Sequence, residues 1–157
     1  MKNFFKPKSI AVIGVSSDKT KIGRIIFDQL VKEFKTYPIN PKKKKIAGKQ
    51  AYASVSQVKG KIDLAFIAVP AKFVIQSVED CGKKGIKNVV IVSSGFKEVG
   101  NLDLELSLSR VLEKHKIKCV GPNCLGVYDA HSKLDSLFLP VSKLPRPKKG
   151  GISFITQ

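Results

Sequence analysis

The chain has 157 residues, 43% of them apolar, and a formal net charge of +17. That length suits one domain with a core of its own, and that apolar share excludes a disordered chain. No run reaches the roughly 18 apolar residues that span a bilayer, so no transmembrane segment is expected. Ser9 to Gly14 reads as a short buried strand, and a polar loop follows it to Gly23. Ile25, Ile26, Leu30, Val31 and Phe34 then fall at helical spacing. Thr36 to Ile39 is a second strand, closed by Asn40-Pro41, and Asp63 to Val69 is a third, ended by Pro70. Phe73, Val74, Ser77, Val78 and Cys81 mark the face of a second helix. Asn88 to Ser93 is a fourth strand. Asn101 is an N-cap candidate for a helix with the stripe Leu104, Leu108, Val111 and Leu112. Ile117 to Val120 is a fifth strand. Strands apolar on both faces and alternating with helices predict a Rossmann-type, doubly wound α/β domain, its mostly parallel sheet carrying helices on both faces. This unit is expected over residues 1–128. Residues 129–150 read as a loop or linker rich in Pro and Lys, and 151–157 as a terminal strand that either closes the sheet or begins a further domain.

The charge comes almost wholly from lysine, with arginine at positions 24, 110 and 146. Such a field attracts anions. Apart from Lys42 to Lys45 the lysines are scattered, and no aromatic residues interleave with them as a stacking platform for nucleic acid requires. Lysine also reads bases poorly, so nucleic acid is not an expected partner and much of the charge can be solvated surface. The basic segment Met1 to Lys8 precedes only a short apolar run and no small-residue cleavage site, which argues against a signal peptide. Cys81, Cys119 and Cys124 are an odd count without paired spacing. No disulfide framework is expected, and the cytoplasm is the expected compartment. His115 and His131 are isolated, so no metal site is expected.

In an open α/β sheet the ligand sits at the carboxyl ends of the strands. The candidate site residues are therefore the strand-ending turns. After the first strand, Gly14, Val15, Ser16 and Ser17, with Thr20, Lys19 and Lys21, offer backbone and side-chain donors to a phosphate near a helix N-terminus. The dinucleotide fingerprint is broken, because Ser16 stands where its second glycine belongs. After the second strand, Asn40 and Pro41 lead into Lys42 to Lys45, where a dinucleotide enzyme carries a ribose-binding acid. A lysine run there suits a phosphorylated ribose, as in NADP or coenzyme A; a solvated charge run is the plainer alternative. Val69-Pro70-Ala71, Ser93-Ser94-Gly95 and Gly121-Pro122-Asn123-Cys124 end the remaining strands. Each alone could be an ordinary turn. Together they line one edge of the sheet. They assemble neither a Ser–His–Asp set nor paired carboxylates, and no catalytic residue is assigned.

In order and spacing, Ser9 to Gly14, Tyr37-Pro38-Ile39-Asn40-Pro41, Ala68-Val69-Pro70-Ala71, Ser93 to Gly100 (Ser-Ser-Gly-Phe-Lys-Glu-Val-Gly) and Gly121 to Gly126 (Gly-Pro-Asn-Cys-Leu-Gly) resemble the coenzyme A-binding domain of the NDP-forming acyl-CoA synthetases. These include the ADP-forming acetate–CoA ligases and the α subunit of succinyl-CoA synthetase. The resemblance implies that Gly14 to Ser17 hold the CoA nucleotide and that Lys43 meets its phosphates. It implies that Val69 to Ala71 and Ser93 to Gly95 flank the adenosine–pantetheine path, and that Gly121 to Cys124 face the reaction centre. In that family a phosphohistidine on the next domain carries the catalysis. That domain opens with a strand reading roughly Ile-Ser-Gln-Ser-Gly, and neither His115 nor His131 lies in such a context. The resemblance therefore implies a CoA-binding part of a ligase, inactive alone. Its expected ligand is CoA or acyl-CoA, its partners are the remaining synthetase domains or a partner subunit, and ADP, ATP and magnesium enter only through those. A stand-alone CoA-binding regulatory or carrier module and an NADP-binding oxidoreductase fragment stay open. A Gly14→Val substitution is expected to crowd the phosphate and leave the fold intact.

Overall fold

The computed structural model describes residues 2–155. In chain order these form α1 (Lys2–Phe5), β1 (Ser9–Ile13), α2 (Ile22–Leu30), β2 (Lys35–Ile39), β3 (Lys45–Ile46), β4 (Lys49–Gln50), β5 (Leu64–Ile67), α3 (Val74–Lys83), β6 (Asn88–Ile91), α4 (Leu102–Lys114), β7 (Lys118–Val120), β8 (Tyr128–Asp129) and β9 (Leu134–Asp135). Five strands make one parallel sheet in the order β2-β1-β5-β6-β7. Counting only these five strands along the chain, the order is 2-1-3-4-5, a doubly wound sheet whose direction of winding reverses between β1 and β5. Register places Ile13 beside both Ile39 and Ile67, and Ile67 beside Ile91.

Successive side chains of a strand point to opposite faces, and the two halves of the core follow that alternation. Ile10, Val12, Leu64, Phe66 and Val90 pack with Ile26, Phe27 and Leu30 of α2. Ala11, Ile13, Ala65, Ile67, Val89 and Ile91 pack with Val74, Val78 and Cys81 of α3 and Leu108 of α4. The doubly wound α/β expectation is met. Its N-cap also holds: the Asn101 side chain accepts the Leu104 N–H. Pro38, which cannot donate to a ladder, lies in β2 at the sheet edge, where a proline is tolerated.

Several boundaries differ from the sequence reading. α2 ends at Leu30, so Val31 and Phe34 lie in the turns after it. Phe73 is no core-facing helix residue: it ends a short 3₁₀ turn, Ala71–Phe73, and is 51% exposed. The segment after Tyr128 is mostly irregular, yet it is packed. β8 and β9 pair, Leu134 and Ser136 are fully buried, and Arg146 donates to Asp135 and to the Leu137, Leu139 and Leu144 carbonyls. This hairpin covers part of the α2 face. Residues 151–155 form no strand, and Ile152, Phe154 and Ile155 are exposed. Thr156 and Gln157, the last two residues of the expected strand, lie outside the described residues.

Candidate ligand site at the carboxyl edge of the sheet

The winding reverses between β1 and β5, which opens a crevice at their carboxyl ends. Gly14 forms its floor. Its φ is +95°, and a Cβ there would collide with the Ala68 carbonyl and lie 2.9 Å from Val69 Cγ1. Only glycine lets β1 and β5 meet this closely. The same contact corrects the expectation for Gly14→Val: the first atom a side chain strikes is backbone of β5's end, not a ligand. Gly23 repeats the device, since a Cβ on it would lie 2.5 Å from the Gly14 carbonyl oxygen and push α2 off the loop.

The loop after β1 is tied from several sides. Gly14 and Val15 donate to the Ile39 carbonyl at 3.0 and 3.3 Å. Asn40 Nδ2 donates to the Val15 carbonyl at 2.7 Å, while Asn40 Oδ1 accepts the Lys42 N–H at 2.8 Å. Ser16 Oγ accepts the Asp18 N–H, and Asp18 Oδ1 accepts both the N–H and the hydroxyl of Thr20. The Thr20 N–H, then its hydroxyl, hold the Asp18 carboxyl below its usual range. α2 begins after Lys21, which makes no side-chain cap, and its first turn carries no acid. That leaves the positive end of the helix open to an anion.

At the end of β2, Pro41 and Lys42 to Lys45 are exposed, and Lys45 starts the short β3–β4 hairpin. Among the described residues none of these four lysines is in an ion pair, whereas Lys61, Lys83, Lys114 and Lys133 are.

Across the crevice the Ser93 and Cys124 side chains turn inwards. Ser93 is buried; its Oγ accepts the Val69 N–H at 3.1 Å and donates to the Ile67 carbonyl at 3.4 Å, and its carbonyl accepts the Asn123 N–H at 2.9 Å. Ser93 is a tie between three strand ends, while Ser94 and Pro70 are exposed. Ala71 approaches Gly95 so closely that a Cβ on Gly95 would lie 3.0 Å from Ala71 Cβ. Gly121, at φ +90°, lets β7's end press on the Ile91 carbonyl, and half-buried Pro122 follows through a cis peptide bond. Cys124 donates its thiol to the Ile91 carbonyl at 3.3 Å. Burial pushes the Cys124 thiol up, and pushes Cys119 up to about 12. Cys124 is thus a protonated packing group rather than a thiolate.

One line of contacts therefore joins Asn40, Val15, Gly14, Val69, Ser93 and Asn123. Ser17, Lys43, Pro70 and Ser94 stand outside it, exposed along the same edge. Residues 8–130 match the family described as CoA binding domain. The chain belongs to that family. Its relatives include the α subunit of acetate–CoA ligase (ADP-forming) II of Pyrococcus furiosus, 42% identical over 98% of this chain and 34% of the relative. Another is the acetate–CoA ligase (ADP-forming) of Methanocaldococcus jannaschii, 45% identical over 96% of this chain and 21% of the relative. A similar solved structure is the dinucleotide-forming acetyl-coenzyme A synthetase 1 of Ca. Korarchaeum cryptofilum in complex with phosphate and ADP. It has a TM-score of 0.85 and 41% identity over 88% of this chain and 31% of that one. The chain spans about a fifth to about a third of the length of these relatives.

Two residues of this CoA-binding domain escaped the sequence reading. Arg24 is 8% exposed; it pairs with Asp28 at 2.8 Å and donates to the Ser17 carbonyl at 3.1 Å, anchoring the loop from below. Glu98 reaches back so that its carboxylate accepts the Gly95 N–H at 2.6 Å and the Phe96 N–H at 3.2 Å. The Gly95 N–H in particular lowers its pKa. The Arg24–Asp28 spacing of four was visible as a helical ion pair. The Ser17 contact depends on how the loop folds back, which no local pattern encodes.

Proposed function

We propose that this chain binds coenzyme A at the carboxyl edge of its sheet and supplies the CoA-binding part of an ADP-forming acyl-CoA synthetase of the acetate–CoA ligase type. The observation that carries the reading is the pairing of a tied, open-ended loop after β1 with four exposed lysines at the end of β2 that have no ion-pair partner among the described residues. Gly14 to Ser17 would hold the pyrophosphate, and Asn40, Pro41 and Lys43 would meet the phosphorylated ribose. Val69 to Ala71 with Ser93 to Gly95 would flank the ligand's path. Pro122, Asn123 and Cys124 would line its reactive end, with Cys124 as a wall. The family match and the names of the relatives support CoA as the ligand.

About two thirds of the first relative and about four fifths of the second have no counterpart in these 157 residues. The full reaction (acyl-CoA, ADP and phosphate giving acid, CoA and ATP) therefore falls to further domains or a partner subunit, which would bring the magnesium nucleotide. Residues 1–128 would be the CoA-binding unit, acting in the cytoplasm. No described helix is long and apolar enough to cross a membrane.

Calorimetry with CoA, dephospho-CoA and NAD tests the ligand. A charge-assisted phosphate contact is worth about 1.5–3 kcal/mol, or roughly ten- to a hundredfold in affinity, and CoA should win by that margin. Equal affinity for CoA and dephospho-CoA would remove the lysines' role. A second assay tests the ligase assignment: acetyl-CoA, ADP, magnesium and phosphate should give ATP only when the remaining parts of the synthetase are supplied. ATP from this chain alone would overturn it.

A further inference from the structure

A nucleotide needs a surface for its base as well as donors for its phosphates. Stacking on an aromatic ring is the usual solution, because every base has a π face. Among the described residues the exposed aromatic side chains are Phe5, Phe73 and Phe154. Phe5 lies in α1, which leads into the amino end of β1 and so sits at the opposite edge from the site. Phe154 lies in the irregular terminal segment. Phe96, although inside the Ser-Gly-Phe motif, is fully buried. Tyr37 and Tyr52 are half-buried and packed edge to face against each other, with ring centroids 5.9 Å apart. Phe73 is thus the exposed ring at the carboxyl edge.

Its position suits the task. β2 and β5 flank β1 on either side, so the strands whose carboxyl ends lead into the lysine run and into Phe73's turn lie about two strand spacings, or about 10 Å, apart. That separation is of the size of a nucleoside phosphate. The Phe73 carbonyl accepts the Ser77 hydroxyl at 2.9 Å, which fixes the turn where α3 starts. The Lys72 ammonium stands 5.1 Å from the ring centroid. A cation on an aromatic face helps to hold the ring and places positive charge beside any anionic ligand stacked there.

We infer that Phe73 is the stacking platform for the purine of the ligand, and that it selects for the nucleotide end of CoA over the pantetheine end. This rests on the CoA-binding reading and deepens it. The chain contains no tryptophan, so Phe73→Trp introduces a single tryptophan at the platform, which red-edge excitation separates from the tyrosines. CoA, dephospho-CoA and adenosine 3′,5′-bisphosphate should quench it, and 4′-phosphopantetheine should not. Phe73→Ala should weaken CoA and the bisphosphate by roughly 5- to 150-fold, with phosphopantetheine unaffected. Unquenched fluorescence while calorimetry shows CoA bound would overturn the inference and leave the CoA reading standing. So would wild-type affinity for CoA in Phe73→Ala, or an equal loss of CoA and phosphopantetheine, which would mark a packing role. A wild-type chain that binds no CoA would overturn both.

Discussion

On the β1–β2 side of the carboxyl edge the lysine run faces outwards, and on the β6–β7 side the Ser93 and Cys124 side chains turn inwards. Lys42 to Lys45 are exposed, among the described residues without an ion-pair partner, and the start of α2 is uncapped. Ser93 and Cys124, by contrast, spend their side-chain hydrogen bonds on backbone groups of the sheet, as Asn123 does with its N–H. An unsatisfied buried donor costs about 1–3 kcal/mol, so groups that are already paired have little to offer a ligand. The first side can therefore grip charged groups, and the second is a stiff wall suited to the neutral length of a ligand. Substitutions should accordingly separate: affinity without stability on one side, stability first on the other, and the fold itself where the two sides meet.

The meeting point carries the largest effect. Gly14→Val puts a branched side chain at positive φ and against the Ala68 carbonyl. A loss of about 4 kcal/mol or more is expected, which lowers the melting temperature of a domain this size by about 10 °C or more. Thermal unfolding followed by circular dichroism checks it. Wild-type melting with CoA binding abolished would restore the reading in which Gly14 matters only to the ligand.

On the outward side, Lys42→Gln combined with Lys43→Gln should remove most of the roughly ten- to a hundredfold preference for CoA over dephospho-CoA and flatten its salt dependence. The melting temperature should stay put, because exposed lysines without an ion-pair partner among the described residues contribute little to the fold. A preference that survives both substitutions would move the phosphate site elsewhere. On the inward side, Ser93→Ala should cost about 1–3 kcal/mol by orphaning the Val69 N–H, and Ser94→Ala, at an exposed neighbour, less than about 0.5 kcal/mol. Equal melting of the two variants would dissolve the distinction between the two sides.

The sequence showed the sheet plainly because its strands are short apolar runs that carry their burial locally: Ile10 to Ile13, Leu64 to Ile67 and Val89 to Ile91 are all buried. The edge was legible as a set of turns, and the motif resemblance named its family. What stayed hidden was direction. Nothing around Ser93-Ser94 says that the first hydroxyl turns into the sheet and the second stays out; that follows from contacts with Val69 and Ile67, 24 and 26 positions away. The β3–β4 hairpin inside the lysine stretch was missed for another reason. Its turn uses Ala47 at φ 49° beside Gly48, and alanine is no signal for a left-handed residue. The β8–β9 hairpin is closed by local bonds, but what seats it against α2 is long-range, including Gln29 donating to the Leu137 carbonyl, 108 positions apart.

The smallest effect separates lysines that serve the fold from those left for a ligand. Glu79 on α3 accepts a hydrogen bond from Lys114 at 2.8 Å, lies 3.0 Å from His115 Nε2, and has Lys83 at 3.8 Å one turn along. These groups join α3 to α4, where the His115 ring also packs over Gly82. The Lys114 ammonium above all, then His115, lowers the Glu79 carboxyl to about 2. A carboxyl whose pKa is lower in the folded chain than in the unfolded one stabilises the fold above the unfolded value, and that contribution fades as pH falls through its range. Glu79→Gln should therefore melt below wild type near neutral pH. The gap should narrow as pH drops through the ordinary carboxylate range and close near 2. High salt should shrink it too, since the pairs are partly exposed to solvent. CoA affinity should not change, because this cluster joins α3 to α4 away from the lysine run at β2's end. A gap that persists unchanged into acid would mean that Glu79 acts by packing. A fall in CoA affinity with the fold intact would mean that charge far from the outward side reaches the ligand, and the division between the two sets of lysines would fail.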